Sequence, residues 1–289
     1  MAAETKIRRL KEVKVKLDGR EYTIPPFFRE KKDSKGDDRT LLNDTFIEFY
    51  MCNYMYKHIF PQDLRAKCQV FGSFFYTSLQ MRIRTKIKEP LKRSELLEAY
   101  DKIFRKRDTS VLDKELLIIP VHIETPKHWF LVLIHNPAGA IRHFFEVRPG
   151  VHDVDFDENQ MDCRIIIMDS LFGWPKYRAP LTVHHNQVSE NLRLWLQMTA
   201  AVAQKELMAA RVRKVVCEKL PRQQNSYDCG IFMIVCAEYF TVYNSQWMAY
   251  DTETLKYLRM DASNEQSLAT EEPRLRLERL LEALKVESH

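Results

Sequence analysis

One junction in this chain dictates more of the fold than any other. Pro221-Arg222-Gln223-Gln224-Asn225-Ser226-Tyr227-Asp228-Cys229-Gly230 is polar and turn-forming, and Ile231-Phe232-Met233-Ile234-Val235-Cys236-Ala237 follows it without a single polar residue. A helix that is apolar on every side has to be enclosed, so residues 229–240 read as a central helix around which sheet and remaining helices pack. The polar turn delivers the Cys229 thiol onto the first turn of that helix. There the exposed backbone N–H groups and the helix dipole favour thiolate over thiol, which makes Cys229 the candidate nucleophile.

Two upstream segments supply partners. His128 opens the strand-like run Trp129-Phe130-Leu131-Val132-Leu133-Ile134, and Asp169 closes Arg164-Ile165-Ile166-Ile167-Met168. If these strands run antiparallel, the start of one lies beside the end of the other and imidazole meets carboxylate at one sheet edge. A histidine so placed can hold a thiolate and later protonate a leaving amine, while Asp169 fixes its tautomer and orientation. Gln223 can aim its amide at the point served by the Cys229 N–H, forming an oxyanion hole, and Gly230 lets a substrate chain approach closely. The competing His122, His135 and His143 lie in or at the ends of strands and read as structural, and His184-His185 reads as a surface pair in a polar loop.

The pattern predicts an α/β (α+β) chain with a mixed, mostly antiparallel sheet flanked by helices. Residues 13–24 suggest a hairpin around Asp18-Gly19, and 29–39 a charged loop, giving a lead over 1–40 ahead of the main domain, 41–289. Asn43 is placed to cap a helix over 44–56, with Asp44 in its first turn. A second helix is expected over 71–87 and a third, capped by Ser94, over 95–104. Strands follow at 116–122, 129–135, 141–147 and 164–169, with Pro137-Ala138-Gly139 as a hairpin turn between the second and third. A polar loop runs to about 188, a helix spans 191–212, and Val215 to Leu220 returns as a strand. The tail from Thr252 forms two amphipathic pieces with Leu275, Leu277, Leu280, Leu281 and Leu284 as a stripe, buried or presented to a partner.

Composition limits the alternatives. Forty-five basic against 40 acidic residues leave a formal charge of +5, too small to name a partner, and the basic cluster from Arg82 to Arg107 reads as a solvated surface, with no nucleic acid expected. The six cysteines show neither C-x-x-C nor disulfide spacing, which fits a reducing compartment and implies no metal or other cofactor. The acidic loop 149–163 lacks the spacing and central glycine of a calcium loop. No apolar h-region opens the chain and no run approaches the ~18 residues needed to cross a bilayer, so a soluble intracellular monomer is expected.

The order His128-Trp129, Asp169-Ser170, then Gln223-x-Asn225-x-x-Asp228-Cys229-Gly230 resembles the Ulp/SENP family of SUMO-specific cysteine proteases. Leu42-Asn43-Asp44 followed by an apolar helix start ending Phe49-Tyr50 is similar to that family's first block, and the resemblance extends over about 20–245. It implies a papain-like protease fold and a nuclear address. It also implies a triad of His128, Asp169 and Cys229 with Gln223 as oxyanion donor, Trp129 as roof of a tunnel for the Gly-Gly tail of SUMO, and Asp44 as a contact to the SUMO body. Leu41 stands where many members carry a second tryptophan, so one wall of the tunnel is less aromatic here. The Phe71 to Tyr76 block and the basic segment before Asp113 look like the chain-editing branch. The function so implied is a desumoylating isopeptidase acting on SUMO and SUMO-conjugated proteins. A protease for another ubiquitin-like modifier, an acetyltransferase with the same triad and a non-catalytic SUMO-binding module stay open beside it.

Overall fold

The structure, a computed structural model, describes residues 13–24, 42–83, 92–143, 161–268 and 272–285. The chain opens with β1 (Val13–Leu17) and β2 (Arg20–Ile24), an antiparallel hairpin closed by Asp18 and Gly19 at φ 50° and 76°, the left-handed pair a two-residue turn requires. Next come α1 (Asp44–Glu48), continued as a wider π-type helix over Phe49–Ile59, then α2 (Gln62–Lys67), β3 (Cys68–Val70), α3 (Phe75–Ile83) and α4 (Arg93–Ile103). The middle of the chain holds β4 (Leu116–Glu124), β5 (Lys127–His135), β6 (Ile141–His143), β7 (Cys163–Met168), α5 (Pro175–Val202), β8 (Lys205–Leu207) and β9 (Val212–Val216). It ends with α6 (Cys229–Glu238), α7 (Thr252–Lys256), α8 (Ala262–Leu268) and α9 (Glu272–Leu284).

Five strands form the central sheet in the order β3-β4-β5-β7-β9. The pairs β4/β5 and β5/β7 are antiparallel, while the outer strands β3 and β9 add in parallel. Alternate residues of β5 serve opposite faces: Trp129, Leu131 and Leu133 join a core with α1 and α6, and Phe130, Val132 and Ile134 join another with α3, α4 and α5. Both faces are covered, which is why these strands read as continuous apolar runs rather than alternating ones. The helix α6 is buried along nearly its whole length, as its composition demanded. The hairpin belongs to the same core as α6, through Val13, Val15, Leu17 and Ile24, and Val15 bridges to Lys285 after α9.

Several expected boundaries move. The Asn43 side chain does cap α1, accepting from the Phe46 N–H at 2.8 Å. α4 begins before Ser94; its cap is Lys92, whose N–H donates to Glu95 at 2.7 Å. Pro137-Ala138-Gly139 lies in a 3₁₀ turn, not a hairpin: β6 leaves the central sheet and pairs with β8, a strand absent from the sequence reading. The largest difference is α5, 28 residues long, which takes in the stretch read as a polar loop and stops at Val202 rather than 212. Pro175 occupies its first turn, where a missing N–H costs nothing, and Leu181, His185, Val188 and Leu192 form its buried stripe. The tail is three helices; in α9 Leu277 and Leu281 are buried, but Leu275 is exposed. The expected loops at 29–39 and 149–160, residues 84–87 of the second helix and residues 144–147 of the third strand lie outside the described residues.

His135, at the end of β5, shows how the sheet ties to the segment after α6. Arg164 of β7 is buried, donates to His135 Nδ1 at 2.6 Å and also donates to the Tyr250 carbonyl. Since a guanidinium can only donate, the His135 nitrogen facing it carries no proton. Burial, and then the Arg164 charge, push the His135 pKa down to about 4. The unfolded chain, titrating near 6.5, binds the proton more readily, so stability falls as pH drops through that interval. Urea denaturation at pH 7.5 and pH 5 should show that His135 accounts for about 2 kcal/mol of the loss. His135→Asn, which keeps an acceptor for Arg164 but cannot titrate, should lose correspondingly less; equal losses in both proteins would contradict this.

Candidate active site

β5 and β7 run antiparallel with Leu131 opposite Met168, so the start of one strand and the end of the other share an edge, as the sequence suggested. His128 Nε2 lies 2.7 Å from Asp169 Oδ1, and neither side chain is exposed. The same carboxylate accepts the Leu171 N–H at 2.8 Å through Oδ1 and meets a second imidazole, His185 Nε2, at 2.8 Å through Oδ2. Burial alone would raise the Asp169 pKa, but His128 and His185 together hold it well below the usual carboxylate range. An ionised carboxylate is an acceptor only, so both facing Nε2 atoms carry protons. Burial works against charge on His128 too; Asp169, and after it Cys229, outweigh burial and raise its pKa. The sign follows for each partner. The Asp169 contribution to stability is present above about pH 3.9 and lost as pH falls through its lower folded value. That of His128 is complete below about pH 6.5 and lost only as pH rises through its higher folded value.

Cys229 starts α6 beside this pair, near enough to His128 for the thiol to favour the imidazolium. His128 Nδ1, the ring nitrogen turned from Asp169, makes no hydrogen bond of ordinary geometry, a looseness common where a catalytic contact tightens only around substrate. The preceding turn is braced: Asn225 Oδ1 accepts the N–H groups of Tyr227 at 3.1 Å and Asp228 at 2.9 Å. Gln223 is buried between the Asp169 strand end and this turn. Its Oε1 accepts from the Ser170 hydroxyl at 2.7 Å, and its Nε2 donates to the Asn225 carbonyl at 2.8 Å. A carbonyl can only accept, which fixes the amide's orientation and leaves the second Nε2 hydrogen available as a donor. The Trp174 indole N–H bonds the Gln223 carbonyl at 3.0 Å, so backbone and side chain are both pinned.

Trp129 is buried, its indole N–H donating to the Leu42 carbonyl at 3.0 Å and its ring 4.7 Å from that of His122. Leu42 also covers Gly230: a Cβ there would come within 2.9 Å of the Leu42 side chain. The room that Gly230 provides is therefore taken by Leu42 rather than left for a substrate, which corrects the sequence reading. Asp44 sits half-buried in the first turn of α1, accepting the Thr45 N–H at 3.1 Å, and acts on His122 through space. Leu41 lies outside the described residues. The other cysteines are unsuited to attack: burial pushes the thiols of Cys52, Cys68, Cys163 and Cys236 up to about 12, and that of Cys217 upward as well.

His185 is the residue that sequence reasoning missed. The sequence reads it as one of a surface pair, yet it is buried on α5 between Phe130 and Phe172, with ring centroids 5.2 and 5.0 Å away. The signal was present, since Leu181, His185, Val188 and Leu192 keep helical spacing across the stretch taken for a loop. Its neighbour His184 is half-buried and bonds the Thr125 carbonyl at the β4–β5 turn, 2.8 Å away.

Residues 40–273 match the Ulp1 protease family, C-terminal catalytic domain. The chain belongs to the Ulp1 protease family. It is 20% identical over 236 residues to sentrin-specific protease 7 of Mus musculus and 25% identical over 211 residues to ubiquitin-like protease 4 of Caenorhabditis elegans. These alignments cover 71% and 70% of this chain, but only 22% and 47% of those proteins, so the chain spans less than half the length of either relative. A solved structure described as the de-sumoylating protease superposes with a TM-score of 0.57 at 20% identity, covering 94% of this chain and 91% of that one. The mixed sheet flanked by helices is thus a Ulp1-like protease fold.

In this Ulp1-family chain His185 is expected to brace Asp169. His185→Phe leaves Oδ2 buried without a donor, a loss of about 1–3 kcal/mol, whereas His185→Gln can still donate. Thermal and urea unfolding should rank wild type above Gln above Phe; a Phe variant as stable as wild type would show the contact to be idle.

Proposed function

We propose that the chain is a cysteine isopeptidase that cleaves after the C-terminal Gly-Gly of SUMO. What carries the reading is the buried His128–Asp169 pair beside a cysteine at a helix N-terminus, in a chain of the Ulp1 protease family. Cys229 Sγ, with its proton passed to His128 Nδ1, attacks the carbonyl carbon of the terminal glycine. The oxyanion receives hydrogen bonds from the Cys229 N–H and Gln223 Nε2. As the tetrahedral centre collapses, the C–N bond breaks and His128 gives its proton to the departing lysine amine. Water, deprotonated by His128, then attacks the thioester; the carboxylate product leaves and the thiol is regenerated. Asp169 keeps the proton on Nε2 throughout, so that Nδ1 is the atom that exchanges protons.

The choice of a glycine tail rests on shape. Trp129, tied to the Leu42 carbonyl, and Leu42, packed on Gly230, crowd the approach to the thiol, which is itself only 1% exposed. A chain without side chains is the thinnest peptide that can be drawn past them. SUMO is favoured over other ubiquitin-like modifiers by the sentrin-specific name of the mouse relative and the de-sumoylating description of the structural neighbour.

The deciding experiment reacts the protein with C-terminal vinyl-sulfone probes of SUMO, ubiquitin and a third ubiquitin-like modifier, following the adduct by intact mass. A SUMO adduct on Cys229, absent in Cys229→Ala, is expected. Preferential reaction with another modifier would reassign the substrate, and an adduct persisting in Cys229→Ala would overturn the assignment of the nucleophile. Gln223→Ala should lower kcat by about 10²–10³ with little change in KM, read by cleavage of a SUMO C-terminal amide; an unchanged kcat would remove Gln223 from the oxyanion hole.

A further inference from the structure

The residue before the thiol presents an electrostatic problem that the structure answers from outside the family match. Asp228 precedes Cys229 at the start of α6 and makes no capping hydrogen bond with the helix. A carboxylate at that position works against thiolate formation and cancels the benefit of the helix N-terminus. The Asp228 side chain, however, is drawn away from the helix: Oδ2 accepts from Asn225 Nδ2 at 2.7 Å, and Oδ1 accepts from Arg274 of α9. The Arg274 guanidinium is buried, and it stands 5.7 Å from the Tyr227 ring. Two residues on, Arg276 donates at 2.6 Å to Glu238, the last residue of α6, which also accepts from the Tyr50 hydroxyl. Arginines of α9 thus engage both ends of the helix that carries Cys229. The matched family residues stop at 273, one short of Arg274.

We propose that Arg274 is a positioning residue for the active site: it neutralises the carboxylate adjacent to Cys229 and locks the turn that presents both the thiol and the Cys229 N–H. The inference rests on Cys229 being the nucleophile, but not on the identity of the modifier cleaved. Among the described residues, the charged and titratable groups set against Asp228 and the thiol include His128 from β5, backed by Asp169 and His185; Tyr227 of the same turn; and Arg274 from α9. Removing Arg274 takes the cation from the Asp228 carboxylate beside Cys229, with Asn225 Nδ2 still donating to it. A unit charge roughly 7 Å away in a medium of effective dielectric about 20–40 moves a titration by about one to two units.

The test measures the rate of Cys229 alkylation by iodoacetamide against pH, read peptide by peptide by mass spectrometry, alongside the acid limb of kcat/KM. Wild type, Arg274→Gln, Asp228→Asn and the double variant are compared. Arg274→Gln should shift both acid limbs upward by about one unit. The double variant, which has neither charge, should return to within a few tenths of wild type, and Asp228→Asn alone should not shift upward. If Arg274→Gln does not fold, the double variant and Arg274→Lys still decide, since each is expected to keep the wild-type limb. Arg274→Gln with an unshifted limb, or a double variant as impaired as Arg274→Gln, would overturn the proposal, the second by reducing Arg274 to a packing role. Cys229→Ala run in parallel separates this from the underlying reading: if it still turns over substrate, the nucleophile has been misassigned whatever Arg274 does.

Discussion

The site depends on one buried carboxylate. Asp169 sits in a place where an isolated charge would be prohibitive, and it is tolerated because a backbone N–H and two imidazoles donate to it. Each donor comes from a different piece of the fold: His128 from the start of β5, Leu171 from the turn after β7, His185 from the middle of α5. The sheet register, the length of α5 and the turn at 169–174 all have to be right for that carboxylate to be satisfied. What Asp169 returns is a defined imidazole: the Nε2 proton is held, the ring cannot rotate, and Nδ1 is the nitrogen left for the thiol.

Around this centre the remaining parts act as supports of decreasing directness. Ser170, next to Asp169, donates its hydroxyl to Gln223 Oε1, and the Asn225 carbonyl accepts from Gln223 Nε2 while its side chain closes the turn up to Asp228. Gln223, the proposed oxyanion donor, and Asp169 are therefore coupled through adjacent residues of one strand end. Leu42 joins two more parts, bonding Trp129 through its carbonyl and filling the space over Gly230 with its side chain. Preorganisation of this kind places donors before charge develops, which is where most of the benefit of an oxyanion hole arises.

Much of this could be read from the chain before any coordinates. The polar-to-apolar switch at Cys229 announced a buried helix carrying a thiol, and two apolar runs with His128 and Asp169 at their ends placed imidazole and carboxylate on one edge. Such signals survive because they rest on local periodicity and on strand ends, which alignment of antiparallel strands brings together. The misses have physical causes of their own. Pro175 hid the start of α5, and with it the burial of His185, because proline is read as a breaker even where a helix start tolerates it; a second proline, Pro180, lies inside the helix. β8 is three residues long, too short for a period of two to register, so the strand expected from Ile141 could not be matched to its partner. Gly230 was given to the substrate because nothing in the sequence tells that Leu42, far upstream, would reach it. Arg274 was likewise invisible, since an arginine on an amphipathic helix reads as solvated until its partner is located.

The central claim is that Asp169 makes His128 an unusually basic imidazole poised beside Cys229. The most direct measurement is the ring ¹⁵N NMR of His128 as a function of pH, assigned by comparison with a His128→Gln variant. The account predicts that at pH 8 both ring nitrogens of His128 still report the protonated imidazolium, and that Asp169→Asn converts the ring to the neutral form at that pH. A His128 ring already neutral at pH 8 in the wild-type protein, titrating near 6.5 as a free histidine would, would contradict it.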